Sequence, residues 1–139
     1  FYLKPGHANC IEGGKKPYHT IIPGFLKKAG RPVGPFGVMG GFMQPQGHFQ
    51  VITNTIDYHM NPQDALDAPR WMWTGGMHFD VEQSFPSHIL HELQEKGHDI
   101  TVNTDSSVFG RGQIIWRTEE DGILCGGCES RCDGYIAVL

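Results

Sequence analysis

Residues 17–48, PYHTIIPGFLKKAGRPVGPFGVMGGFMQPQGH, constrain this chain more than any other stretch. Two apolar runs, residues 19–26 and 33–39, flank a turn-like KKAGRP segment and predict a hairpin-like strand pair. The second run ends at Gly40-Gly41, and a helix-like pattern follows. A strand that stops at adjacent glycines and feeds a helix leaves backbone N–H groups outside the helix ladder. The helix start adds partial positive charge at the same spot. Such a spot suits an anion, or a carbonyl oxygen that becomes an anion during acyl transfer. A phosphate loop would need a lysine and then Ser or Thr after the glycines, whereas Phe42-Met43-Gln44 follow here. Gly34, Gly37 and Gly40 are spaced by threes, which does not fit a dinucleotide fingerprint either.

The 139 residues suffice for one domain, and an apolar fraction of 39% with 19% charged residues is globular. A net charge of −4 carries no footprint for nucleic acid or an anionic membrane surface. No apolar run approaches the ~20 residues of a membrane-spanning helix. Three of the four cysteines, Cys125, Cys128 and Cys132, crowd into CGGCESRC, and Cys10 stands apart. That is no evenly spread disulfide framework. It favours reduced thiols and a cytosolic setting, with a periplasmic or secreted one as the alternative.

Further along, Phe49, Ile52, Ile56 and Met60 mark one face of a helix over residues 46–60, widened by Val51 and Thr55. Asn61-Pro62 opens a short helix through Ala68. Residues 78–82 alternate like a strand. Ser84-Phe85-Pro86 predicts a helix start, with Ile89, Leu90 and Leu93 buried and Lys96-Gly97 as the stop. Residues 99–103, 112–118, 123–126 and 134–139 read as strands, residues 103–110 as a loop, and Glu120-Asp121-Gly122 as a hairpin turn. The order predicts an α+β domain with antiparallel pairing.

Other clusters are weaker. HELQE, at residues 91–95, lacks the second histidine of a zinc-protease helix, so His88, His91, Glu92, Glu95 and His98 read as an exposed polar face. The C-x2-C of Cys125 and Cys128, completed by Cys132 and Cys10, is the alternative zinc reading. There is no G-x-S-x-G, and Asp57, Asp64 and Asp67 have the spacing of helix surfaces and caps. Taken alone, the residues offer an oxyanion donor site without a nucleophile.

GGKKPYHTIIP, then GPFGVMGGFMQPQGHFQVITNTIDYHMNPQDALDAPRW, then Gly110-Arg111-Gly112-Gln113 and GILCGGCESRCDG resemble the C-terminal part of the γ-glutamyltranspeptidase small subunit. The likeness is strongest to a bacterial branch with HTIIP, and it covers nearly the whole chain. The resemblance implies an N-terminal-nucleophile hydrolase fold, a four-layer αββα sandwich, of which residues 1–139 form one C-terminal domain. It implies a self-cutting precursor whose new N-terminal threonine, upstream of Phe1, attacks a γ-glutamyl (glutathione-like) amide. Gly40 and Gly41 map onto the oxyanion-hole glycines. His19 and Thr20 occupy the positions of a Ser-Ser pair that holds the donor's α-carboxylate. His19 is the larger departure, which opens the way to another acyl donor, as in the related cephalosporin acylases. No cofactor or metal is implied. The implied partners are the large subunit and the N-terminal part of the small subunit, with self-association through an uncovered sheet as a further expectation. A non-catalytic module, with zinc at the cysteines, is the alternative.

Overall fold

A computed structural model describes residues 2–138. Two strands, β1 (Gly24–Lys28) and β2 (Arg31–Met39), form an antiparallel hairpin. Its loop is Ala29-Gly30, both with positive φ, so the pairing continues through the lysines and Arg31. Residues 19–23, predicted within the first strand, carry no strand; they lead into Gly24 without regular secondary structure. After β2 come α1 (Met43–Ile56), α2 (Pro62–Asp67), β3 (Trp71–Gly75), β4 (His78–Glu82), α3 (Ser87–Glu95) and β5 (Asp99–Asn103). A 3-10 turn, Ser106–Phe109, leads into β6 (Arg111–Arg117) and β7 (Leu124–Cys128). The class is α+β, as expected. One sheet has the order β1-β2-β6-β7, and a second has β3-β4-β5.

The core lies where α1 and α2 cover one face of the four-stranded sheet. Val38, Val51, Ala65, Leu66, Ile114 and Trp116 meet there. The alternation along β6 puts Gly112, Ile114 and Trp116 into this core and Gln113, Ile115 and Arg117 on the opposite face. Helix α1 lies close because Gly47 has no side chain: a Cβ there would stand 2.7 Å from Val38 Cγ1. Gly47→Ala is therefore expected to destabilise the protein by about 1–3 kcal/mol. Val38→Ala in the same chain should recover part of that loss, as read from the thermal midpoints of the single and double variants.

Several elements differ from expectation. Helix α1 starts three residues before residue 46 and stops at Ile56, and its buried face is Met43, Gln44, Gly47, Gln50 and Val51. Of the predicted stripe, Val51 lies in the core and Ile52 and Met60 pack against it, whereas Phe49 and Ile56 are exposed, so the apolar spacing marked the buried side only in part. The reason is that α1 packs through amides as well as through apolar groups. Gln46 exchanges two hydrogen bonds with the backbone of Trp73 (3.2 and 2.7 Å), and Gln50 does the same with Trp71 (2.8 and 3.1 Å). A glutamine amide carries the donor and acceptor of a peptide group. Four residues on a helix span roughly 6 Å and two on a strand roughly 6.6 Å, so the two amides match alternate residues of an edge strand. The strand they cap, β3, is absent from the sequence reading. Gln63 clamps β7 in the same way through Cys128 O (2.8 Å) and N (3.0 Å).

The pairing of β4 with β5 is parallel, not antiparallel as predicted, because α3 is a crossover that returns the chain in the same direction. Ser84 does not cap α3. A turn closed by the Phe85 N–H to Glu82 O occupies that position, and the helix begins after Pro86. None of Ile89, Leu90 and Leu93 is buried among the described residues. Residues 134–138 form no strand, and Leu139 lies outside the described residues. The tail crosses the face of β7, with Gly134 against Cys128 and Ile136 against Gly126, and so is placed by side-chain packing instead of ladder bonds.

Candidate active site

At the end of β2 the chain turns through Gly40 and Gly41 into α1. The first bonds of the helix run from Met43 N–H to Gly40 O (3.0 Å) and from Gln44 N–H to Gly41 O (3.2 Å). Pro45 has no N–H to satisfy, which suits the first turn. The N–H groups of Gly40, Gly41 and Phe42 stand ahead of this ladder and donate to no turn, loop or cap acceptor among the described residues. No side chain caps the helix, and no acidic residue sits in its first turn. The partial positive charge of the helix start is thus left facing outward beside Phe42, which is 96% exposed.

The two glycines are required for different reasons. Gly41 has φ +57°, and a Cβ there would meet open space. Gly40 is fixed by proximity: its Cβ would lie 2.9 Å from Gly110 Cα and 3.3 Å from Met43 Cβ. Gly110 is itself closed in, since its Cβ would fall 2.8 Å from both Met39 O and Val38 Cγ1. Gly40 therefore rests on a floor of Gly110 and the buried Met43.

His19 and Thr20 lie in the irregular segment before β1, not in a strand, and both are exposed. The hydrogen bonds that tie that segment to the start of α1 come from Gln44. Its Nε2 donates to Thr20 O (3.0 Å), and its Oε1 accepts from Ile22 N–H (3.3 Å). A cleft of about 310 Å³ opens beside this contact, lined among others by Ile22, Met39, Gln44, His48, Arg111 and Gln113. Sequence reasoning missed Gln44. Its only local signal was a polar residue in the first turn of a helix, which normally reads as solvent-facing.

A second missed feature holds the floor in place. Arg70, Glu82, Glu129 and Arg131 form a buried, charge-balanced cluster. Arg70 Nη2 donates to Glu129 Oε2 (2.8 Å), while Nη1 donates to Phe109 O (3.1 Å) and Gly110 O (3.0 Å). Glu129 Oε2 also accepts from Gly112 N–H (2.7 Å). Arg131 bridges Glu82 and Glu129 and donates to Leu66 O and Ala68 O. Burial, helped by the neighbouring Arg131, lowers the pKa of Arg70 against the pull of Glu129. Burial alone would lower Arg131 too, but hydrogen bonds to Glu82 and Glu129 outweigh it and hold this guanidinium above its ordinary value. Sequence reasoning had met Arg70 only within the DAPRW block, and Glu129 and Arg131 only as spacers between cysteines.

The remaining candidates stay apart from this site. His91 faces Glu95 across 3.4 Å on the exposed side of α3, and the His98 ring stands edge-on to Phe79. Cys10 is buried in the N-terminal loop, Cys125 is exposed, and all four thiols are free. Among the described residues no three His, Cys, Asp or Glu side chains are grouped to hold a metal ion.

A structure described as cephalosporin acylase from Bacillus halodurans superposes with a TM-score of 0.84 at 59% identity, over 99% of this chain and 26% of that one. The described strands and helices are thus part of an N-terminal-nucleophile hydrolase fold. The sequence profile described as Gamma-glutamyltranspeptidase matches residues 1–139, and the chain belongs to that family. Among curated relatives, the glutathione hydrolase-like YwrD proenzyme of Bacillus subtilis is 36% identical over 96% of this chain and 26% of its own length. The oxamate amidohydrolase proenzyme of Klebsiella pneumoniae is 32% identical over 99% of this chain and 27% of its own length. The chain thus spans about a quarter of the length of these relatives.

Proposed function

We propose that this chain supplies the oxyanion hole and the donor-binding segment of a self-processed amide-cleaving enzyme. In this reading an N-terminal threonine from a part of the protein upstream of this chain attacks the amide carbonyl of the donor. As the C–O bond forms, the carbonyl oxygen takes the negative charge and is met by the N–H groups of Gly40 and Gly41. The threonine's α-amine accepts the hydroxyl proton and passes it to the leaving amine as the C–N bond breaks. Water, or an acceptor amine in transfer, then releases the acyl group. Thr20 donates its hydroxyl, and His19 a ring N–H, to the carboxylate at the end of the donor. The observation that carries the reading is the uncapped start of α1, with bare N–H groups above a buried floor.

The donor favoured by family membership is γ-glutamyl. A second reading, an acylase with another acyl group, is supported by the 59% identity to a structure described as a cephalosporin acylase. The missing partners in either case are a large subunit and the start of the small subunit. The proenzyme names of the relatives and the uncovered apolar groups Phe25, Met39 and Ile115 support this.

The test is expression of the complete precursor, followed by intact mass and N-terminal sequencing. Two fragments are expected, the smaller starting at threonine and containing this chain, with release of p-nitroaniline from the γ-glutamyl anilide. An uncut, inactive precursor would overturn the proposal. A cut protein that prefers other acyl anilides would select the second reading.

A further inference from the structure

The structure assigns to Gln44 the job of holding the donor-binding segment in register with the glycine pair. This inference rests on the site assignment above. Gln44 is 8% exposed, and a buried amide is costly unless its donor and acceptor are both used. Here both are used on one short segment. Nε2 reaches Thr20 O at 3.0 Å and Oε1 takes the Ile22 N–H at 3.3 Å. The same nitrogen lies 3.4 Å from Gly41 O, and the Gln44 backbone N–H also binds Gly41 O at 3.2 Å. One residue therefore touches both halves of the site. Residues 19–23 form no strand, so no ladder sets how far they stand from α1. Without the clip, the carboxylate-binding groups of His19 and Thr20 would lose their distance from the reacting carbonyl, while Gly40 would keep its floor. Gln46, Gln50 and Gln63 clamp ordered strands. Gln44 alone among these four clamps a segment that carries proposed donor contacts.

Because Gln44 acts through the segment, its loss should affect recognition of the donor's carboxylate more than the chemistry common to all donors. The experiment uses the processed parent enzyme with Gln44→Met, which keeps the length but neither bond, and Gln44→Glu, which keeps the acceptor only. Two anilides are compared: γ-glutamyl-p-nitroanilide, and 4-aminobutyryl-p-nitroanilide, the same acyl chain without the α-carboxylate. The ratio of their kcat/KM values should fall about tenfold in Gln44→Met, the size of one lost hydrogen bond. Hydrogen exchange at the Ile22 amide should accelerate, with the α1 amides unchanged. In Gln44→Glu the ratio should be low at neutral pH and recover on acidification, because a protonated carboxyl again donates to Thr20 O while accepting from Ile22. Equal slowing of both anilides in Gln44→Met would show a merely structural role and overturn the inference. So would unchanged exchange at Ile22. A processed parent that cleaves neither anilide would count against the γ-glutamyl donor instead, and the Ile22 exchange would then decide the clip by itself.

Discussion

Arg70→Met is expected to cost about 3–5 kcal/mol of stability, the range for removing one partner of a buried ion pair. The change deletes donors to Glu129, Phe109, Gly110 and Leu66 together. Three carbonyls then lose an N–H partner inside the protein, and the buried Glu129 keeps its charge with Arg131 as its remaining cation. The soluble yield and thermal midpoint of the parent protein should drop together. Adding Glu129→Gln should return part of the loss by removing the uncompensated charge; a double variant no better than the single would show that the carbonyls, not the charge, carry the cost. The site should suffer in proportion, because Gly110 is the backbone against which Gly40 is pressed.

Gly41→Val is expected to lower kcat by about 10²–10³-fold, the effect of losing one oxyanion donor, with little change in KM. A β-branched residue does not tolerate φ +57°, so the backbone leaves that region and the N–H turns with it. The fold should survive, because the new side chain enters open space. At most about 1–2 kcal/mol of backbone strain is at stake. Gly40→Ala makes the contrast: its methyl meets Gly110 Cα at 2.9 Å, so stability and turnover should fall together. An unchanged kcat in Gly41→Val, measured on processed parent enzyme, would remove Gly41 from the mechanism.

How much of this could be read beforehand depends on how far apart the contributing residues lie. The strand, glycine pair and helix of the site were legible because their cause is local. Val38 and Met39 extend β2, and Gly41 supplies a φ that other residues avoid, although the helix start was read three residues late. The start of α2 was legible at Pro62 for the same reason, and the structure adds a cap there, the Asn61 side chain accepting from Asp64 N–H three residues on. The buried face of α1 was legible in part, since the predicted stripe included Val51 in the core and Ile52 and Met60 against it. The polar amides of Gln46 and Gln50 pack against the edge of β3, whereas hydrophobic spacing pointed to Phe49 and Ile56. The apolar residues of α3 were read as core, yet none is fully buried: Leu93 is only half-buried, in a cleft it shares with Phe79 and Ile100. His19 and Thr20 were named from likeness to relatives, but their place outside the sheet, tied to Gln44, is a fact of the fold.

By itself, then, the sequence determined the turns, the α+β class and the bare donors at the start of α1, all consequences of dihedral preference and hydrogen bonding within a few residues. Only the tertiary structure decided that β5 runs parallel to β4, that Gln44 joins Thr20 to Gly41, and that Arg131 meets Glu82 across 49 positions. Such contacts depend on where packing brings distant backbone together, and a buried charge or amide is tolerable only after its partner has arrived.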